Sequence, residues 1–332
     1  MTESAENYPE LLWHNKSKHL FAGSHGYEWI EATDPRASET RLLRKIGCFG
    51  TKAEANLLIS GDAPQALKSL AGRQDCAGQY VGRVKLAYID PPFNTGYRHP
   101  NYDDRFDHSI WLTLLRDSLI QIKTLLSEDG SVWVHLDDTE QHRARAVLDE
   151  IFGPDQFVST VIWDRTNTPR MKASSLSVRH DYIHVYRRGR QFAIRPLPSA
   201  RSGPSRRTHS LWEMDDVGSG RDGSGESRQL FGEPFATPKP ERLLARVIQL
   251  ASDPGDVVLD CFAGSGTTAA VAHKLKRRWV AIEVNEDTVS NFLQERIVKV
   301  ISGADDGGIT EEAGWTGGGG FTRLEIGPSN LK

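Results

Sequence analysis

The sequence predicts an α/β fold with a doubly wound, mostly parallel sheet, and three observations predict it. Short, mainly apolar runs at residues 84–89, 257–259 and 279–282 have the hydrophobicity of strands covered on both faces. Between them lie stripes at helical spacing, such as Leu112, Leu115, Leu119, Ile122 and Leu126. A glycine turn at Gly264 and Gly266 joins one of these strands to a helix.

Composition sets the limits. A chain of 332 residues, 38% hydrophobic and 26% charged, can bury one large α/β core with a small insert. The net charge of −3 announces no polyanion partner, but residues 161–210 hold eleven basic side chains against two acidic ones, a candidate phosphate footprint. Cys48, Cys76 and Cys261 are far apart with no Cys-x-x-Cys pair, which indicates neither a disulfide framework nor a zinc site and suits a reducing cytoplasm. With no signal-like start and no window of eighteen apolar residues, the chain is expected to be neither exported nor membrane-spanning.

Taken in order, residues 1–55 lack sustained periodicity and read as an extension of loops and short helices. Leu57-Leu58-Ile59-Ser60 is a buried strand, stopped by Gly61-Asp62 and followed by a helix through Leu67 and Leu70. The strand at 84–89 ends in Asp90-Pro91-Pro92-Phe93, where each proline fixes its own φ and drives its predecessor to extended geometry. Residues 94–109, rich in Gly, Pro, Asn and Asp, read either as a mobile lid or as a plain surface loop. After the helix carrying the 112–126 stripe comes a strand at 132–136. Asp138 with Gln141 then suggests a capping box for a helix that Gly153-Pro154 ends. Strands at 161–163 and 182–186 follow, the second setting His180, Tyr182, His184 and Tyr186 on one face rather than in a metal site. Low-complexity stretches at 199–207 and 218–225 read as flexible loops. Order returns at Pro234, and Pro240 suits the first turn of a helix through Leu243, Leu244, Val247 and Ile248. Helices at 267–276 and about 286–300 flank the strand at 279–282, while the glycine run 317–320 matches no usual helix or strand.

Residues 259–269 run from a strand through the glycine turn into a helix, and Glu283 ends the next strand nineteen residues after Gly264. Glycines let backbone approach a ligand, and a carboxylate at the second strand end can accept hydrogen bonds from ribose hydroxyls, so the pattern is that of a nucleoside site. It also satisfies Gly-x-Gly-x-x-Ala, which leaves a nicotinamide dinucleotide and an oxidoreductase open.

Asp260-x-Phe262-x-Gly264-x-Gly266 resembles the S-adenosylmethionine loop of class I methyltransferases. Asp90-Pro91-Pro92-Phe93 resembles the catalytic motif of those that methylate exocyclic amines of bases in DNA. Catalytic motif, basic block, then cofactor loop is an order similar to that of the β class of DNA amino-methyltransferases. Leu58-Ile59-Ser60-Gly61-Asp62, His180-Asp181-Tyr182-Ile183, residues 104–112, 235–240 and the tail 314–321 further resemble the modification subunits of type III restriction systems. The resemblance covers most of the chain from about residue 56, although the segment before residue 234 is short for a type III recognition insert.

The resemblance implies a Rossmann-like class I S-adenosylmethionine-dependent methyltransferase fold. A catalytic domain at 56–157 and 234–302 would carry a small basic target-recognition insert at 158–233, after an extension at 1–55 and before a tail at 303–332. Phe262, Ala263, Gly264, Gly266 and Thr267 would line the cofactor loop, with Asp260 near the methionine amino group and Glu283 on the ribose. Thr237 and Lys239 would serve the methionine carboxylate, and Asp62 the adenine. Arg165, Arg170, Lys172, Arg179, His180, Tyr182, Arg187 and Arg188 would contact double-stranded DNA, Tyr182 being equally readable as an ordinary strand aromatic. No metal is implied; a homodimer and a nuclease-helicase restriction partner are.

The adenine amine is a poor nucleophile because its lone pair is delocalised. The Asp90 carboxylate and the Pro91 carbonyl, held rigid by Pro92, would grip its two protons and aim that lone pair, and Phe93 would stack on the flipped base. Aspartate rather than serine before the prolines favours adenine by family habit, and transfer to the cytosine amine suits the same geometry. Outside the class stand a nicotinamide-dependent oxidoreductase and a non-catalytic DNA-binding subunit.

Overall fold

The computed structural model describes residues 9–23, 26–51, 56–72, 79–97, 104–168, 176–197, 209–233, 235–329 and 331. Cys76, Arg170, Lys172, the stretch 199–207 and Pro234 lie outside them. In chain order the elements are β1 (His19–Gly23), β2 (Gly26–Ile30), α1 (Pro35–Ser38), β3 (Leu43–Gly50), β4 (Leu57–Ser60), α2 (Ala63–Gly72), β5 (Val84–Ile89), α3 (His108–Leu125), β6 (Leu126–Leu136) and α4 (Gln141–Phe152). They continue with β7 (Phe157–Asp164), β8 (His180–Arg187), β9 (Leu211–Trp212), α5 (Met214–Val217), α6 (Gly220–Phe231), α7 (Glu241–Ala251), β10 (Val257–Asp260), α8 (Thr267–Lys274), β11 (Arg278–Glu283), α9 (Glu286–Thr288), α10 (Gln294–Ser302) and β12 (Gly320–Ile326). A π-helical turn, Val289–Leu293, joins α9 to α10.

Ten strands form one sheet in the order β3-β12-β4-β11-β10-β5-β6-β8-β7-β9. From β12 to β6 every neighbouring pair is parallel, as the apolar runs predict, and β8 pairs antiparallel with both β6 and β7. Strand alternation feeds two cores. Val84, Ala87 and Ile89 pack with α2, α3 and α4, whereas Leu86 and Tyr88 pack with α7, α8 and α10. Strand order reverses between β10 and β5, since one chain path leaves outward through β11 and the other through β6. A doubly wound sheet opens its ligand crevice at such a point. Among the described residues no helix is long and apolar enough to cross a membrane.

Four expectations change. Residues 1–55 are more than loops and short helices: β1 and β2 pair as a hairpin, and β3 is an edge strand of the sheet. The tail glycines lead into β12, a strand between β3 and β4. A Cβ at Gly320 would lie 2.3 Å from the Phe49 carbonyl oxygen, so this close crossing demands glycine. Residues 218–225, read as a flexible loop, instead run into α6, where Ser219 and Asp222 form a capping box. Finally, Asp138 and Gln141 form no capping box: Glu140 takes the cap position without a side-chain cap bond. Its buried carboxylate instead accepts from Asn94 Nδ2 at 2.9 Å and pairs with His108 and Arg143.

Candidate active site

β5 and β10 are adjacent parallel strands, so the segments that follow them open into one cleft. Asp90, Pro91, Pro92 and Phe93 line one wall. Asp260 to Ser265, Thr267, Thr268 and Glu283 line another, and Phe235 to Lys239 a third. Every sequence-predicted cofactor residue except Gly266 borders this cleft, and Gly266 shapes the turn from within. Its φ of 80°, with 50° at Gly264, is the left-handed geometry that glycine adopts at least cost.

The Asp90–Phe93 turn is held from several sides. Trp111 Nε1 donates to the Pro92 carbonyl at 2.6 Å. Asn94, with φ of 60°, receives both ends of the next loop: its backbone N–H donates to Asp104 Oδ1 at 2.6 Å, and its Oδ1 accepts from the Phe106 N–H at 2.8 Å. Asp104 is 1% exposed. The described ends of the stretch read as lid or loop, 94–97 and 104–107, are therefore anchored, and residues 98–103 lie outside the described chain. Lys239 Nζ pairs with Asp90 Oδ2 and lies 5.1 Å from the Phe93 ring centre. Asp90 Oδ1 is buried without a hydrogen-bond partner among the described residues. A buried acceptor of this kind costs free energy until a donor reaches it.

Two buried carboxyls, Asp260 and Asp62, and a partly buried one, Glu283, set the electrostatics. Burial pushes Asp260 up to about 7, against hydrogen bonds from Thr268 Oγ1 at 2.6 Å and the Phe262 N–H at 3.0 Å, and the charges of Asp90 and Glu283 push the same way. Burial also raises Glu283, whose two oxygens accept from the Gly264 and Asn285 N–H groups, each at 2.9 Å. Asp62 is raised for the same reason, while the Tyr27 hydroxyl donates to its Oδ1 at 2.5 Å. Burial and that neighbouring carboxylate hold the Tyr27 phenol well above its ordinary range. Thr237 has φ of 51°, a backbone strain of the kind that collects at functional sites.

Lining residues to which the sequence reading gave no site role include Tyr27, Tyr88, Thr268, Val284 and Phe235. Thr268 and Phe235 lie inside motifs already marked, and Tyr88 is a polar tip in an otherwise apolar strand two residues before Asp90, a usable signal. Tyr27 carries none, because only the hairpin brings it here.

The DNA-contact candidates divide. Arg165, Arg179, His180 and Tyr182 stand at the end of β7 and β8 that flanks the C-terminal end of β6, with Arg165 facing Asp181 at 2.8 Å and Arg179 facing Asp164 at 2.8 Å. Arg187 and Arg188 stand at the opposite end: Arg187 Nε donates to Gln156 at 3.1 Å, and Arg188 Nε to the Lys123 carbonyl at 3.1 Å. They brace the loop edge of the sheet far from the cleft. Arg170 and Lys172 lie outside the described residues.

The arrangement offers acceptors beside an apolar, aromatic floor and three carboxyls suited to amine and hydroxyl donors. The family described as DNA methylase matches residues 84–294, which include both walls. Over 85% of its length the chain is 27% identical to the "Probable type III restriction-modification enzyme HindVI Mod subunit" of Haemophilus influenzae, and it spans 55% of that subunit. It is 25% identical to the "DNA adenine methyltransferase YhdJ" of Escherichia coli, covering 77% of this chain and 92% of that one. The fold is also similar to that of PvuII DNA methyltransferase (cytosine-N4-specific), with a TM-score of 0.57 at 15% identity over 82% of this chain and 93% of the other. The chain therefore spans little more than half the length of the restriction-modification subunit that it matches.

Proposed function

The chain belongs to the DNA methylase family, and from that premise we propose that it transfers a methyl group from S-adenosylmethionine to the exocyclic amine of adenine in double-stranded DNA. The observation that supports this reading is that Asp90-Pro91-Pro92-Phe93 and residues 260–265 of the glycine loop line one cleft.

The cleft fits the cofactor in the chemistry of its donors and acceptors. Asp260, Glu283 and Asp62 are cleft-lining carboxyls suited to amino and ribose or adenine donors, and the glycine turn lets backbone come close. Lys239 and Thr237 serve the carboxylate end. When bound, S-adenosylmethionine supplies an electrophilic methyl on a sulfonium. Asp90 Oδ1, buried and unpartnered, accepts one hydrogen of the amine, and the Pro91 carbonyl accepts the other. Trp111 locks the turn through Pro92, so the acceptors need no reorganisation as the lone pair is aimed. Phe93 stacks on the extruded base, worth about 1–3 kcal/mol. Arg165 and Arg179, beside the cleft, position phosphates.

The similarity to a subunit named as type III Mod makes a nuclease-helicase partner and a role in restriction-modification part of the proposal. A homodimer and a cytoplasmic location go with it. Labelled S-adenosylmethionine and duplex DNA, followed by nucleoside analysis, test the reading: N6-methyladenine is expected. Methylated cytosine would overturn the adenine assignment, and no transfer with cofactor bound would favour a DNA-binding subunit. Asp90→Ala abolishes transfer and leaves cofactor affinity nearly unchanged; parallel loss of both would give Asp90 a different role.

A further inference from the structure

Under the glycine turn of the cofactor cleft lies a cluster of charged side chains to which the methyl-transfer reading gives no part. Glu241 on α7, Lys274 on α8, Arg296 on α10 and Asp305 beyond it are each 1% exposed. Lys274 Nζ lies 2.8 Å from Glu241 Oε2 and 2.7 Å from Asp305 Oδ2, and Arg296 Nη2 donates to Glu241 Oε1 at 3.0 Å. Toward the cleft, Arg296 Nη1 donates to Thr267 Oγ1 at 2.7 Å. Thr267 is the first residue of α8 and borders the cleft. Burying a guanidinium is costly, and Arg296 Nε has no hydrogen-bond partner among the described residues. The fork is thus placed to reach Glu241 and Thr267 together, at the expense of its third nitrogen.

A guanidinium only donates, so Thr267 Oγ1 accepts from Arg296 and keeps its own hydrogen for another acceptor. The Ser265 hydroxyl is 3.5 Å away, beyond the ordinary O–H···O range of about 2.5–3.0 Å. A hydroxyl that accepts from a cation is the stronger donor for it, and such a donor suits an anion. The neighbouring Thr268 is committed differently, donating to Asp260 Oδ2 at 2.6 Å. Asp260 is the group assigned to the methionine ammonium. In an α-amino acid the carboxylate shares a carbon with that ammonium, so it has to settle near Asp260 yet away from the carboxyls of Asp90, Asp260 and Glu283. The first turn of α8 meets both demands, because it follows Asp260 within a few residues and the positive end of the helix dipole favours negative charge. Lys239 pairs with Asp90 in the same structure, whereas the Thr267 donor is already in place.

We propose that Arg296, acting through Thr267, positions the donor that recognises the carboxylate of the cofactor's methionine end, an inference that rests on the methyl-transfer reading above. The ion pair with Glu241 fixes the guanidinium, the guanidinium fixes the Thr267 oxygen, and the hydroxyl hydrogen is left for the ligand. Arg296 is buried behind Thr267 and is a positioning residue; Thr267 makes the contact. The glycine turn and Asp260 suit any S-adenosyl amine, and the Thr267 donor selects one that also carries a carboxylate.

The test uses the full chain and isothermal titration with two ligands: S-adenosylmethionine, and its decarboxylated form, which keeps the ammonium and the sulfonium. The unaltered protein should prefer the first. Thr267→Val keeps the side-chain shape, and should weaken S-adenosylmethionine about tenfold while the decarboxylated form binds as before. Arg296→Lys keeps a cation beside Glu241 but loses the fork that reaches Thr267, and should show the same selective loss, with circular dichroism reporting the native fold. Arg296→Gln repeats the measurement without a buried charge. Combining Arg296→Lys with Thr267→Val should cost no more than Thr267→Val alone, because Arg296 acts through that hydroxyl. Arg296 variants that lose affinity for both ligands alike, or a double variant whose losses add, would reduce Arg296 to structural support. An unaltered protein that does not distinguish the ligands, or a Thr267→Val protein that binds both as before, would overturn the carboxylate assignment and leave the methyl-transfer reading intact. An unaltered protein that binds neither ligand would overturn both.

Discussion

The ammonium of Lys239 rests on the carboxylate of Asp90, joining the segment before α7 to the end of β5 across the mouth of the cleft. In the free protein the residue assigned to the cofactor carboxylate thus occupies the residue assigned to the base. Lys239→Met is expected to weaken cofactor binding about tenfold or more, the loss of one hydrogen bond to a charged group, about 1.5–3 kcal/mol. Isothermal titration measures it. Unchanged affinity with a slowed transfer would assign Lys239 to Asp90 alone.

Asp260 gives the protein a pH dependence with a definite sign. Its folded value of about 7 lies above the ordinary carboxyl range near 4, so its protonated form contributes stability at low pH that is lost as pH rises between about 4 and 7. Glu226, raised to about 7 by burial and the charge of Glu241, acts in the same window. The difference between variants isolates Asp260: Asp260→Asn should lose less stability than the unaltered protein between about pH 4 and 8 in thermal unfolding. A cationic amino group favours the ionised form, so cofactor affinity should rise with pH up to about 7 and lose that rise in Asp260→Asn.

Tyr27 reaches the cleft from the β1–β2 hairpin, and its hydroxyl is the side-chain donor on Asp62. Tyr27→Phe keeps the ring and leaves Asp62 Oδ1 without that donor. Cofactor affinity by equilibrium dialysis should fall about fivefold, an effect on the order of 1 kcal/mol. If affinity does not move, Asp62 is not in contact with the ligand.

Glu241 binds together three helices. Its carboxylate holds Lys274 Nζ at 2.8 Å and Arg296 at 3.0 Å, and Arg296 in turn donates to Thr267 Oγ1 at 2.7 Å at the cleft wall. All three charged groups are at most 1% exposed. Glu241→Ala leaves two buried cations short of a partner, with only Lys274 still paired to Asp305. The expected loss in denaturant unfolding is about 3–5 kcal/mol.

The sequence made the two cleft walls legible because each is a local device. Asp90 to Phe93 stops a strand with two prolines, and residues 259–269 turn a strand into a helix with two glycines, so their chemistry lies within a few neighbours. Their meeting comes from the strand-order reversal that sets β5 beside β10. What escaped depends on distant pairing. The Asp138–Gln141 box looked locally sound, but Glu140 is committed to Asn94 and His108, many residues upstream. Arg187 and Arg188 belonged to a basic run by composition, yet the length of β8 carries them to the far edge of the sheet.

The insertion of β12 between β3 and β4 also fixes an order of assembly. β3 and β4 leave the ribosome one after the other and well before β12, yet they do not pair: β12 separates them, antiparallel to one and parallel to the other. During synthesis the edge of β4 is therefore exposed, and β3 has no sheet to join, until residues 320–326 emerge. A nascent chain in which β3 closed directly onto β4 would shut out β12, so its productive route keeps that seam open until β12 arrives, an interval in which strand edges are prone to intermolecular pairing.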